Sequence, residues 1–219
     1  MQTIFDFLAR LQNNNNRDWF AANKAEFDAI SIANRLFFQD VFDELQKQDS
    51  LEKLHVYRIY RDIRFSTDKT PYKNNFGAGF SRIKPMLRGS YYIHLEPGNS
   101  FAGGGFWAPE KEDLFRIRKE FEADDRPIRQ IISNKTFQKY FGTLLGEELK
   151  TAPRGFDKNH SAVDLIRKKQ FVVMRKFSDS EVFLPDFQKE VIATFLAMRP
   201  FFNYMSEVLT TDLNGESLY

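Results

Sequence analysis

An α+β fold, with helices flanking a mostly antiparallel sheet, is predicted by three features of the sequence. The first third repeats apolar residues at helical spacing, and the middle third switches to short aromatic and β-branched runs punctuated by Pro, Gly, Asn and Ser. The last third returns largely to helical spacing. A length of 219 residues suffices to bury most of its apolar surface around one core. With no internal repeat or low-complexity linker, one domain over 1–219 is expected: helical to about 50, sheet-rich from about 54 to 108, and mixed from about 110 onward.

Ile4, Phe7, Leu8 and Leu11 lie on one face of a first helix, and the asparagines at 13 to 16 stop it and offer a cap for the next. From Arg17 to about Gln48, Phe20, Phe27, Ile30, Phe37, Val41 and Leu45 keep steps of three, four or seven, which reads as a single long helix. Strands are predicted around Val56 to Ile63, Asn75 to Arg82, Tyr91 to Glu96 and Phe101 to Trp107, with Glu96 to Ser100 as the clearest hairpin turn. Glu110 to Glu122 and Pro127 to Phe141 read as helices, and Leu144 to Lys150 as a return strand. Ser161 and Asp164 resemble a capping box opening a short helix to Lys168, followed by a strand over Phe171 to Phe177. A helix from Asp186 to Arg199 is interrupted at Pro200 and resumes to Leu209.

Hydrophobic residues make up 42% of the chain and 24 are phenylalanine, which predicts an aromatic core and argues against disorder. There is no cysteine, so thiol catalysis, disulfides and thiolate metal sites are excluded. The N-terminus has no basic segment followed by an apolar run, and nowhere do about eighteen apolar residues occur in succession. A cytoplasmic protein with no membrane segment is the expectation. Net charge is only +2, yet residues 53 to 88 carry nine Lys or Arg against Asp62 and Asp68, leaving the remainder at −5. One segment holds the positive charge.

Within it, Arg58 to Lys73 interleave arginines, lysines and aromatic rings around the two carboxylates. Such crowding of cations suits a bound phosphate or carboxylate, or pairing with acids elsewhere in the fold. If Val56 to Phe65 were one regular strand, Arg61 would lie among Tyr57, Ile59, Ile63 and Phe65 and would need a core ion pair. Helical spacing would instead group Arg58, Arg61 and Asp62. Ser66 to Lys73 reads as a loop, because Ser, Thr and Asp favour turns and Thr70 precedes Pro71. Such a loop would present Asp68, Lys69, Tyr72 and Lys73 to an anionic ligand, or to solvent alone.

Three stretches, RIYRDIRFSTDKTPYKNNFGAGF, GSYYIHLEPGNSFAGGGFWAP and TAPRGFDKNHSAVDLIRKKQFVV, together with the N-terminal NNRDWFAANKAEFD, closely resemble successive motifs of the uncharacterised domain of unknown function 2461. The resemblance spans nearly the whole chain and implies no activity, substrate or cofactor. The chain departs from the family's pattern at Asn74-Asn75, where Thr-His is more usual, and at Ser161, where proline is common. A catalytic histidine at position 75 is thereby put in doubt.

Strand alternation places Tyr92, His94 and Glu96 on one face. His94 and Glu96 are the candidate catalytic pair, as general base or as two metal ligands, although no third ligand can be placed, so no metal is assigned. A hydrogen-bonded structural pair, or a Glu96 that neutralises one of the arginines, explains them more blandly. Gly77, Gly79 and the run Gly103 to Gly105 let something approach the sheet closely, a helix or β-bulge more simply than a ligand. No phosphate-loop, dinucleotide, serine-elbow or HExxH pattern is present. Arg154, with Asp157 and His160, lies in a loop entering a helix and is a candidate second wall of an anion site.

These features leave three functional classes. The first is binding of, or chemistry on, a phosphate-bearing or other anionic small ligand, with Arg58, Arg61, Arg64, Asp68, Lys69, Tyr72, Lys73 and Arg154 as contacts. The second is a nucleic-acid-binding module stacking bases on Tyr57, Tyr60, Phe65 and Tyr72, which near-neutral total charge disfavours. The third is a structural protein whose charged motif is a fold-stabilising network. The anionic ligand is favoured, and it requires its cations to converge on one pocket. No cofactor is indicated.

Overall fold

The computed structural model describes residues 1–212 and 214–219. Three helices open the chain, α1 (Gln2–Asn13), α2 (Arg17–Ala22) and α3 (Lys24–Gln46), and the strands β1 (Leu51–Val56), β2 (Phe76–Arg82), β3 (Ser90–Leu95) and β4 (Ser100–Phe106) follow. Helices α4 (Lys111–Ala123), α5 (Arg126–Ser133), α6 (Lys135–Phe141) and α7 (Val163–Ile166) precede β5 (Phe171–Phe177), and α8 (Asp179–Val182) and α9 (Phe187–Thr210) close the fold. All strand pairs are antiparallel in the order β1-β2-β3-β4-β5, so the α+β class holds. Each strand lies beside its neighbour in sequence, with the four-helix excursion joining β4 to β5.

Period-two alternation divides the sheet into unlike faces. Ala78, Phe80, Tyr91, Ile93, Ala102, Phe171 and Val173 are buried on the inner face. Helices α3 and α9 pack there through Phe42 on Phe80, Phe195 on Phe80 and Tyr91, and Phe202 on Tyr91. Each such ring contributes about 1.5–3 kcal/mol of burial. Gly104 of β4 faces α9, and a Cβ there would lie 2.7 Å from the Ser90 carbonyl oxygen, 2.9 Å from Phe202 Cζ and 3.0 Å from Met198 Sδ. Close helix packing is therefore the reason for this glycine. Gly104→Val should destabilise the fold by about 1–3 kcal/mol through overpacking, read as a lowered midpoint in thermal unfolding.

Among the described residues one ion pair lies in the core, and its arginine is Arg82 rather than Arg61. Arg82 is 1% exposed, with Nε 2.9 Å from Asp49 Oδ2 and Nη2 3.1 Å from Asp49 Oδ1. Nη2 also donates to Asn203 Oδ1 at 2.6 Å and Nη1 to the Arg88 carbonyl at 3.3 Å, while the Tyr91 hydroxyl donates to Asp49. This network ties the end of α3, the sheet and α9 together. A guanidinium needs several acceptors to offset its desolvation, and this junction of three elements supplies them.

Several boundaries depart from the sequence reading. The predicted strand from Val56 to Ile63 is displaced: β1 ends at Val56, and residues 57–75 form a loop. The loop is clamped by a Tyr60–Tyr72 bridge, by Arg61 N to Pro71 O at 2.9 Å and by Lys73 N to Ile59 O at 2.7 Å. Asn15 grips Tyr72 from both sides, donating to its carbonyl at 2.9 Å and accepting from its N–H at 3.1 Å. The asparagine run thus anchors the loop as well as capping α2, where Asn16 accepts from Trp19 N.

The long first-third helix is split at Asn23, whose side chain donates to the Trp19 carbonyl at 2.8 Å, and the helix from Pro127 to Phe141 is split at Asn134, which caps Thr136. Leu144 to Lys150 is no strand but makes two isolated bridges, Leu145 to Val172 and Glu148 to Lys168. Ser161 does not cap α7, which starts after Ala162, and Asp164 pairs with Arg129 instead. Pro200 leaves α9 unbroken, because Phe195, Met198, Phe201, Phe202 and Met205 are all fully buried around it and hold the helix through the missing hydrogen bond.

Candidate functional site

The second sheet face points away from α3 and α9 and carries Gly79, Tyr92, Gly103 and Met174 in one cross-strand row, with Gly77, His94, Phe101 and Lys176 in the next. Tyr92 lies flat over Gly77, whose absent Cβ would fall 2.5 Å from the phenol oxygen. The Tyr92 hydroxyl is 3.0 Å from His94 Nδ1, and His94 Nε2 is 2.9 Å from Glu96 Oε2. Asn99 Nδ2 donates to the same carboxylate oxygen at 2.8 Å. In the neutral tautomer that donates from Nε2 to the Glu96 carboxylate, Nδ1 accepts from the phenol. The imidazole is further held by stacking on Phe101, centroids 4.8 Å apart at 13°.

Beside this relay the clamped loop builds a polar depression of about 480 Å³ lined by Arg61, Asp62, Lys73, Asn74, Asn75, Tyr92 and His94. Among the described residues the Arg61 side chain uses Nη1 for both of its bonds, to Asp68 and to Thr70 Oγ1 at 2.8 Å. Lys73 is half-buried, and its ammonium sits 5.7 Å from the Tyr57 ring centroid with no carboxylate paired to it among the described residues. Burial holds the Lys73 amine below the usual lysine range, and the neighbouring Arg58 and Arg61 guanidiniums lower it further. Burial, followed by Tyr57 and Glu96, pushes the Tyr92 phenol up to about 12, so it stays protonated as a donor.

The pattern of this chain over residues 3–204 matches the sequence profile described as Conserved hypothetical protein (DUF2461). The chain belongs to the DUF2461 family. No curated protein and no solved structure gives a significant match. In this DUF2461 chain no helix among the described residues is long and apolar enough to cross a membrane. Nor do three His, Asp or Glu side chains gather there with the geometry to hold a metal ion.

Of the residues singled out from sequence, the fold brings Arg61, Lys73 and His94 to one pocket, with Glu96 behind His94 and Arg58 near Lys73. It does not bring the others. Arg64 is exposed and forms a two-pronged pair with Asp62 at 2.9 and 2.6 Å. Asp68 organises the loop turn, accepting from Thr70 N and Thr70 Oγ1 and pairing with Arg61. Lys69 caps the Ile63 carbonyl at 3.0 Å, and the Tyr72 ring is buried against Phe20, centroids 3.9 Å apart. Arg154 is exposed in a loop whose Phe156 packs on Phe115 of α4, and it does not line the pocket. Among the other site residues, Tyr92 was marked in the sequence by the strand face it shares with His94, Tyr57 only as a stacking ring, and Asn74 and Asn75 only as departures from the family pattern.

The phenol shifts make alkaline stability a test of this packing. Tyr91 and Tyr204 are also raised, mainly by burial, and Tyr91 further by its bond to Asp49. A phenol raised in the fold contributes nothing to pH dependence below its unfolded value of about 10, and stability falls as pH climbs from there through the folded value. Resistance to denaturant should therefore fall steeply above about pH 10, and Tyr92→Phe should flatten that loss by on the order of 1–2 kcal/mol.

Proposed function

We propose that this protein binds a small anionic ligand, phosphate-bearing or carboxylate, between Arg61, Lys73 and Tyr92. The observation that carries this reading is Lys73: an unpaired, partly desolvated ammonium is kept beside two guanidiniums, an arrangement that costs free energy until an anion joins it. Arg61 keeps Nε and Nη2 outside its bonds to Asp68 and Thr70. Those two donors match the geometry of a carboxylate or phosphate.

The relay next to the cations suits proton transfer on the bound ligand. A ligand hydroxyl or a water hydrogen-bonded to Tyr92 passes its proton to the phenol oxygen as the phenol proton moves to His94 Nδ1. The imidazolium so formed faces the Glu96 carboxylate, which stabilises it. His94 is the base, Glu96 its orienting partner, and Tyr92 the group that meets the ligand. Calorimetric titration with inorganic phosphate at low salt tests the binding step. Lys73→Gln should weaken binding by about 10- to 100-fold and Arg64→Gln should leave it unchanged, whereas equal behaviour of the two variants would refute the assignment.

A further inference from the structure

Resting on that reading, we propose that the ligand is an anion joined to a planar apolar ring, and that the ring lies along the open sheet face beside Tyr92. A trough of about 430 Å³ borders the polar pocket, with Tyr92 lining both. Gly103 and Gly105 give its floor no side chains, and Tyr57, Phe101, Trp107 and Met174 form its sides. The indole of Trp107 is 67% exposed and Tyr57 is 43% exposed, so two large rings stand in water at the margins of an unfilled apolar surface.

A volume of that size fits a small molecule and is too small for a folded partner to enter. The occupant is set by the neighbouring charges: a group entering the trough with a phosphate or carboxylate at its Tyr92 end satisfies Lys73 and Arg61 at once. Flatness follows from the floor. Bare backbone between aromatic side chains accepts a flat ring along its whole surface, whereas a branched aliphatic body meets it at few points. Ser90, exposed at the rim and pointing into the trough, is where an added side chain fills the space without entering the core.

The test is calorimetry on the full chain with three probes, inorganic phosphate, 1-naphthyl phosphate and 1-naphthol, against wild type, Ser90→Phe and Trp107→Ala. Wild type should bind 1-naphthyl phosphate at least tenfold more tightly than either fragment. Ser90→Phe should bring its affinity down to that of inorganic phosphate while phosphate binding stays unchanged, and Trp107→Ala should weaken it severalfold. Unchanged phosphate binding also certifies that each variant is folded. Phosphate binding with no gain from the naphthyl ring, or a gain that survives Ser90→Phe, overturns the ring and leaves the anion site standing. Decyl phosphate serves as an added control: its binding as tightly as 1-naphthyl phosphate overturns the planar assignment, and dimerisation in sedimentation that Ser90→Phe removes gives the trough to a second copy. Failure of all three probes to bind overturns both readings.

Discussion

Asp49→Ala should destabilise the protein by about 3–5 kcal/mol, the cost of leaving a buried guanidinium uncompensated. Arg82 is enclosed by the sheet and α9, and among the described residues Asp49 is its only carboxylate partner, contacted through Nε and Nη2. The substitution also strips the Tyr91 hydroxyl of its acceptor inside the core. Against a typical total of about 5–15 kcal/mol, the loss takes a large fraction of the stability. Denaturant titration with a fixed m-value measures it. The double variant Asp49→Leu with Arg82→Met removes both charges and should recover most of the loss, because the penalty belongs to the unpaired ion rather than to the missing attraction. Equal destabilisation of the single and double variants would show that packing, and not charge, is the cause.

Lys73→Gln and Arg61→Gln should each weaken phosphate binding by about 10- to 100-fold, the worth of one charge-assisted contact. The two cations are not equivalent. Arg61 also holds the loop turn through Asp68 and Thr70, so its loss should lower thermal stability as well, whereas Lys73 has no such partner and its loss should leave the melting temperature unchanged or raised. Protonation gives an independent check. An anion beside Lys73 counters the burial and the neighbouring arginines that depress its amine, so its pKa must rise on binding. The complex should then take up protons in the alkaline range below the ordinary lysine value of about 10.4. Calorimetry in buffers of different ionisation enthalpy reads this uptake directly, and Lys73→Gln should remove it.

Strands β2 to β5 were legible to within a residue or so, because alternation of aromatic and β-branched residues between Gly, Pro and Asn is a local signal. Helix breaks at Asn23 and Asn134 were not, since the apolar periodicity runs through both and only a side chain turning back onto the backbone marks them. The same limit hid Pro200, where the surrounding aromatic core overrides a residue that ordinarily ends a helix. Among the charged residues, Arg61 read as a core arginine on the assumption of a regular strand. The chain leaves the sheet just before it, and the buried role falls to Arg82, whose partner Asp49 is 33 positions earlier in sequence.

The sequence alone determined the α+β class, the single basic segment, the aromatic core, the family and the alignment of Tyr92, His94 and Glu96 on one strand face, because each depends on composition or on period. Tertiary structure decided which cations meet. Lys73 and Arg61 face His94 because the loop folds back through Tyr60 and Tyr72 and is gripped by Asn15, 57 residues away. It also decided what each glycine does: Gly104 admits a helix, Gly77 seats Tyr92, and the remaining bare face is the trough. Contacts of that separation leave no mark on local spacing, since they form only where the entropy of closing the loop is offset by burial at both ends.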